Sequence, residues 1–154
     1  MNLATMILAA RERVLGFARK LDWLPLLLVR ASLAAVFVPT GWGKLHDLEK
    51  VTGFFTELGI PAPHFNAVLV AVSELGCGSL LLIGLVSRLA AVPLIISMTI
   101  AILTAKRADI SGVTDLFAVD EFIYIVMAIV VLVLGAGAIS VDGLLARRMK
   151  IAKD

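Results

Sequence analysis

Apolar residues gather along this chain in stretches of about the length that crosses a hydrocarbon core, roughly 20 residues in helical form. Four such stretches are bounded by charge, Gly or Pro: about Leu24 to Thr40, Phe65 to Val86, Leu89 to Ala105 and Glu121 to Ala138. They predict an all-α fold, a four-helix transmembrane bundle. Only Ser87 and Arg88 separate the second stretch from the third, so those two helices form a tight hairpin and lie antiparallel.

Two shorter segments carry a mixed pattern. Residues 1–22 open with the apolar run Leu3 to Ala10, and the charges Arg11 to Arg13 follow it. A secretory leader has the opposite order, so the segment reads as an amphipathic helix on the membrane surface, held by anionic lipid. Between Gly41 and Pro63, the residues Leu48, Val51, Phe54, Phe55 and Leu58 recur at helical spacing among Glu49, Lys50, Thr52 and Glu57, which predicts an interfacial helix in the first outer loop. Gly59, Pro61 and Pro63 end it, and Pro63 stands where a helix start tolerates proline. The chain therefore divides into a surface helix over 1–22, a transmembrane domain over 23–145 and a basic tail over 146–154.

Composition strengthens the membrane reading. Of 154 residues, 60% are apolar and 17% charged, and the mean hydropathy of +1.02 is too high for a soluble domain of this size. The net charge is +2 and the basic residues form no stripe, so nothing points to nucleic acid. Charge bears on orientation instead. Arg11, Arg13, Arg19, Lys20, Arg88, Arg147, Arg148, Lys150 and Lys153 fall on one side of the spans, against Lys44, Lys50, Lys106 and Arg107 on the other. The positive-inside rule then places both termini in the cytoplasm, for a multi-pass protein of the cell inner (plasma) membrane. Cys77 is the single cysteine, so one chain makes neither a disulfide nor a dithiol centre. It reads as a small apolar filler, and His46 and His64 match no metal-ligand spacing.

Ionisable residues inside the spans carry the candidate chemistry, because a charge at mid-bilayer costs at least a few kcal/mol. Arg30 falls near the middle of the first stretch and Glu74 near the middle of the second, at similar depth on antiparallel helices, which predicts a buried ion pair. Such a pair either fixes the register of two helices or lines a polar pocket flanked by Ser32, Ser73, Gly76, Gly78 and Ser79. A second group gathers at the outer surface: Trp42, Lys44, His46 and Asp47 leave the first span, and Asp120, Glu121 and Tyr124 enter the fourth. Glu121 and Tyr124 are three apart and share a helix face, a spacing that a quinone or proton site can use; Trp and Tyr are also ordinary residues at head-group depth.

These segments resemble the DoxX family. The resemblance is carried by the Arg-containing first span leading to Gly41-Trp42-Gly43-Lys44-Leu45, by Glu74-Leu75-Gly76 opening a run that ends in Gly84-Leu85-Val86-Ser87-Arg88, and by Glu121-Phe122. Gly135-Ala136-Gly137 followed by Ser140-Val141-Asp142 is similar to the family's closing motif, with Ala136 and Ala138 where members often have Pro and a basic residue. The likeness covers about residues 24–145. It implies a small bacterial or archaeal four-helix membrane protein, related in fold to membrane redox bundles; some members are subunits of a thiosulfate:quinone oxidoreductase or associate with redox-stress enzymes.

The resulting expectation is a membrane subunit of a redox system that binds a quinone-like lipid-soluble molecule and relays protons. Arg30, Trp42 and Lys44 would hold the ligand, Arg30 donating to an oxygen, with Glu74 keeping it in place; Glu74, Glu121 and Tyr124 would carry the proton chemistry. With no cysteine pair or haem motif, electrons would come from a soluble oxidoreductase or a second subunit. The same residues also suit a non-catalytic anchor or assembly partner for a soluble protein, or a small transporter, which four short spans would favour only as a homo-oligomer.

Overall fold

The computed structural model describes residues 3–151. The ends of the predicted surface helix and basic tail, residues 1–2 and 152–154 with Lys153, lie outside them. Among the described residues there are eight α-helices and no strand: α1 (Leu3–Lys20), α2 (Leu24–His46), α3 (Leu48–Glu57), α4 (Pro63–Ile83), α5 (Ser87–Leu103), α6 (Val113–Ala118), α7 (Asp120–Leu134) and α8 (Val141–Ile151). A short 3-10 turn occupies Arg107–Asp109.

Two of these helices, α2 and α4, are long and apolar enough to cross a membrane, and α5 is a shorter apolar helix. α2 packs mainly on α4, α5 on α7, α4 on α5 and α3 on α4, with a lesser contact between α2 and α7. The predicted interfacial helix is α3, begun by Asp47, whose Oδ1 accepts from the Lys50 backbone N–H at 3.3 Å. The main departure is the length of α2. Gly41, Trp42 and Gly43, where the first span was expected to have ended, stay helical as far as His46. Packing overrides the low helix propensity of glycine here, because Gly41 is buried against α4. Conversely α7 stops at Leu134, short of the expected Ala138, since Gly135 adopts φ +86.

The core is built from Leu33, Phe37, Leu81, Ala90, Ala91, Leu94, Met98, Ala128 and Val131, with Cys77 packed against it as expected of an apolar filler. α2 and α4 approach closely because small residues face each other: Ala34, Gly41, Ala67, Ala71 and Gly78 are all buried. A Cβ at Gly41 would stand 2.4 Å from the backbone N of Leu75, and one at Gly78 would stand 3.1 Å from the Phe37 Cβ. The outer faces are apolar as well. Leu69, Val72, Leu89, Ile96 and Val133 are all exposed, Leu89 by 69% and Val133 by 63%, a surface that suits hydrocarbon and not water. α1 makes no substantial contact with the other described helices and exposes Ile7, Leu8, Val14 and Phe17.

Candidate functional site

Arg30 and Glu74 do not form the expected pair. Both are 1% exposed, but they sit at different heights. Gly41 meets Ala71 and Leu75, Phe37 meets Gly78, and Arg30 meets Gly84, so the level of Glu74 on α2 lies near residue 40. That is about 15 Å from Arg30 at ~1.5 Å per residue. Side-chain direction widens the gap. A helical side chain leans toward the N-terminus of its own helix, so in an antiparallel pair Arg30 leans away from Glu74.

Arg30 is held by backbone carbonyls. Its Nε donates to Leu81 O at 2.9 Å, Nη2 to Leu82 O at 3.3 Å, and Nη1 to Ile139 O at 3.0 Å and to Ala136 O. Leu81 and Leu82 belong to the last turn of α4, where carbonyls lack helical partners and the helix dipole is negative. The planar guanidinium, a fork of N–H donors, reaches this end and the loop after α7 together. Gly84 makes room: its φ of +72 closes α4, with the Leu85 N–H on Leu80 O at 3.0 Å, and a Cβ there would stand 2.7 Å from Arg30 Nη2.

The sequence motifs at that end converge on the same junction. Asp142 accepts from the backbone N–H groups of Val86, at 2.9 Å, and Ser87, at 3.2 Å, and so caps α5 from a distance. Its own N–H donates to Gly84 O at 3.0 Å. Ser140 Oγ donates to Gly137 O at 2.7 Å, and Arg88 Nη2 to Val133 O at 3.2 Å. The Gly84–Arg88 hairpin and the Gly135–Asp142 segment are therefore one structural knot, with Arg30 at its centre. The motif was visible in the sequence; its role as a cap for α5 was not.

The partner of Glu74 is Lys44. The Lys44 Nζ donates to Glu74 Oε1 at 2.5 Å, with the carboxylate buried and the ammonium partly exposed. Lys44 lies one turn past Gly41, on the same face of α2. The lean that separates Arg30 from Glu74 brings this pair together, since each side chain tilts toward the other. Among the described residues, Glu74 Oε2 is buried with no hydrogen-bond partner.

Both residues line a cavity of about 830 Å³, within the range of small-molecule sites. Its wall is mostly apolar: Phe54, Phe55 and Leu58 from α3, Val70 from α4, and Met98 and Ala101 from α5, with Glu121 entering from α7. Amphipathic α3 forms one side, tied to the start of α4 by a 3.3 Å contact between Thr52 Oγ1 and His64 Nδ1. Of the six residues singled out in the sequence, Lys44, Glu74 and Glu121 share this cavity. Tyr124 packs edge-on against Phe37, ring centroids 5.6 Å apart, and lies outside its lining. Trp42 is 58% exposed and rests on His46 at 4.4 Å, on the outer side of α2. Arg30 is in the knot. Ser97, Lys50 and Lys106, which the sequence assigned to no site, also line the cavity; no spacing signal connects them, because they come from separate elements.

Comparison with known proteins gives a consistent class. The sequence model of the DoxX family matches residues 25–107, more than half of the chain, a stretch that includes Arg30, Lys44 and Glu74 and ends before α7. An uncharacterized membrane protein of Mycobacterium tuberculosis (strain ATCC 25618 / H37Rv) is 42% identical over 79 residues, 51% of this chain and 48% of that protein. The chain thus spans about half the length of this curated relative. No solved structure matches.

Proposed function

Since the chain belongs to the DoxX family of membrane proteins, we propose that it is a multi-pass inner-membrane protein whose α3-covered cavity binds a quinone-like, lipid-soluble molecule as part of a redox system. In this reading α2, α4, α5 and α7 are the four spans of a domain over 23–145, and both termini are cytoplasmic. Residues 1–22 lie on the inner surface with their apolar face in lipid, and 146–154 are a basic cytoplasmic tail. The hydrophobic exteriors of α4, α5 and α7 support the bilayer contact that membership of this family implies.

One observation carries the ligand reading: a largely apolar cavity holds the Lys44–Glu74 pair, its carboxylate buried, with Glu121 on its wall. The residues fit a quinone-like group. Phe54, Phe55, Leu58 and Met98 offer a surface for a ring and tail, Lys44 has further N–H donors for an oxygen, and Glu74 and Glu121 are placed to hold protons. Such a ligand supplies coupled electron and proton uptake when bound. Electrons would arrive from a partner protein, because the sequence holds one cysteine and no haem motif. Trp42, Tyr124 and Arg30 have no part in the lining, and their contribution is to the interface, the core and the knot.

Thermal unfolding of the purified protein with a short-tailed benzoquinone tests this. The ligand is expected to raise the unfolding midpoint of wild type and Trp42→Ala, by linkage to the folded state. It is expected to leave the midpoint of Lys44→Met and of the cavity-filling Ala101→Phe nearly unchanged. No rise for wild type at saturating ligand would sink the proposal.

A further inference from the structure

Glu74 gives the cavity a requirement beyond shape. Its two oxygens are unequal: Oε1 is engaged by Lys44 Nζ at 2.5 Å, while Oε2 is buried and has no donor among the described residues. An ionised carboxylate oxygen is an acceptor only, and leaving it unmet away from water is costly. Of the polar side chains on the lining, Ser97, Lys50 and Lys106 donate nothing to Glu74, and two others are turned to backbone carbonyls. Asn66 Nδ2 donates to Pro61 O at 2.6 Å, and Thr104 Oγ1 to Ile100 O at 2.7 Å. Lys44 has one N–H on Oε1 and two more to give. The pair therefore offers an acceptor and a donor side by side on the wall of a mostly apolar space.

Resting on the ligand reading above, we infer that the cavity selects a lipid-soluble molecule whose head group is a hydroxyl, with the O–H donating to Glu74 Oε2 and the same oxygen accepting from Lys44. A ring carbonyl satisfies Lys44 alone and leaves Oε2 bare. An ether oxygen does the same. A hydroxyl completes both, so a phenol or quinol head is held more tightly than its donor-free analogues. The selectivity comes from the protein's unpaired group and needs no contact with the tail.

The test compares two probes of equal ring and tail, an alkyl hydroquinone and its dimethyl ether, by calorimetric titration of the full chain in nanodiscs. The hydroquinone is expected to bind wild type at least about tenfold more tightly, the range set by one hydrogen bond to a charged group. Equal affinities would overturn the hydroxyl inference while leaving the lipophilic cavity standing. No binding of either probe would overturn the inference together with the reading beneath it. The wild-type comparison needs no variant to fold. As a second arm, Glu74→Met is expected to bring the two affinities together, and an unchanged ratio in that variant would show that the donor is met elsewhere.

Discussion

Arg30 and Lys44 stand on the same helix and lean the same way, yet one is held by carbonyls and the other by a carboxylate. Height decides between them, because Arg30 reaches the C-terminal end of α4 and Lys44 reaches its interior. A charge swap separates this arrangement from the ion pair that matching depth would suggest. Arg30→Glu with Glu74→Arg is expected to leave the protein unfolded or poorly expressed, since a carboxylate cannot donate to Leu81, Leu82, Ala136 and Ile139. Lys44→Glu with Glu74→Lys restores a pair in place and is expected to recover much of the stability lost by either single change. Arg30→Leu alone should cost about 2–5 kcal/mol, the scale for stranding several buried acceptors. Unfolding in mixed detergent micelles reads all of these, and rescue by the Arg30–Glu74 swap would refute the assignment of partners.

At the scale of elements, the α2–α4 contact positions the site. Gly41 lets the two helices touch, and that contact sets the height at which Lys44 finds Glu74. Any side chain at 41 pushes against the backbone of α4, which cannot rotate away as a side chain can. Gly41→Val is therefore expected to destabilise by about 1–3 kcal/mol, as overpacking does, and to weaken ligand binding by parting the ion pair. Gly76→Ala on the same α4 meets nothing within 4 Å and is expected to be close to neutral or slightly stabilising. Thermal midpoints of the two variants, measured side by side, check the contrast.

For the whole molecule, the apolar exterior and the charge distribution make a statement about orientation. The knot of Arg30, Arg88 and Asp142 lies at the end of the molecule from which α1 and α8 extend, and the cavity opens near the other end, beside α3. With Cys77 replaced by Ser, Glu57→Cys is expected to react with a membrane-impermeant maleimide in intact cells. Arg147→Cys is expected to react only after permeabilisation. The reverse pattern would invert the topology, and labelling of both in intact cells would contradict the three spans placed between them.

The sequence alone determined the all-helical class and the membrane setting, because both follow from hydropathy and its period, which are local. It also marked α3 by an amphipathic stripe, and it marked Arg30 and Glu74 as anomalies in apolar runs. Lys44 was legible as a candidate but not as the partner of Glu74, since Gly41-Trp42-Gly43 looks like a helix end until α4 is packed against it. Glu121 and Glu74 are 47 positions apart, and only folding puts them on one cavity. The tertiary structure decided partners: the relative height of two helices depends on how their backbones pack, which small residues on both helices set at once. For the same reason the unpaired Glu74 oxygen was invisible in the sequence, where every carboxylate looks alike until its neighbours are known.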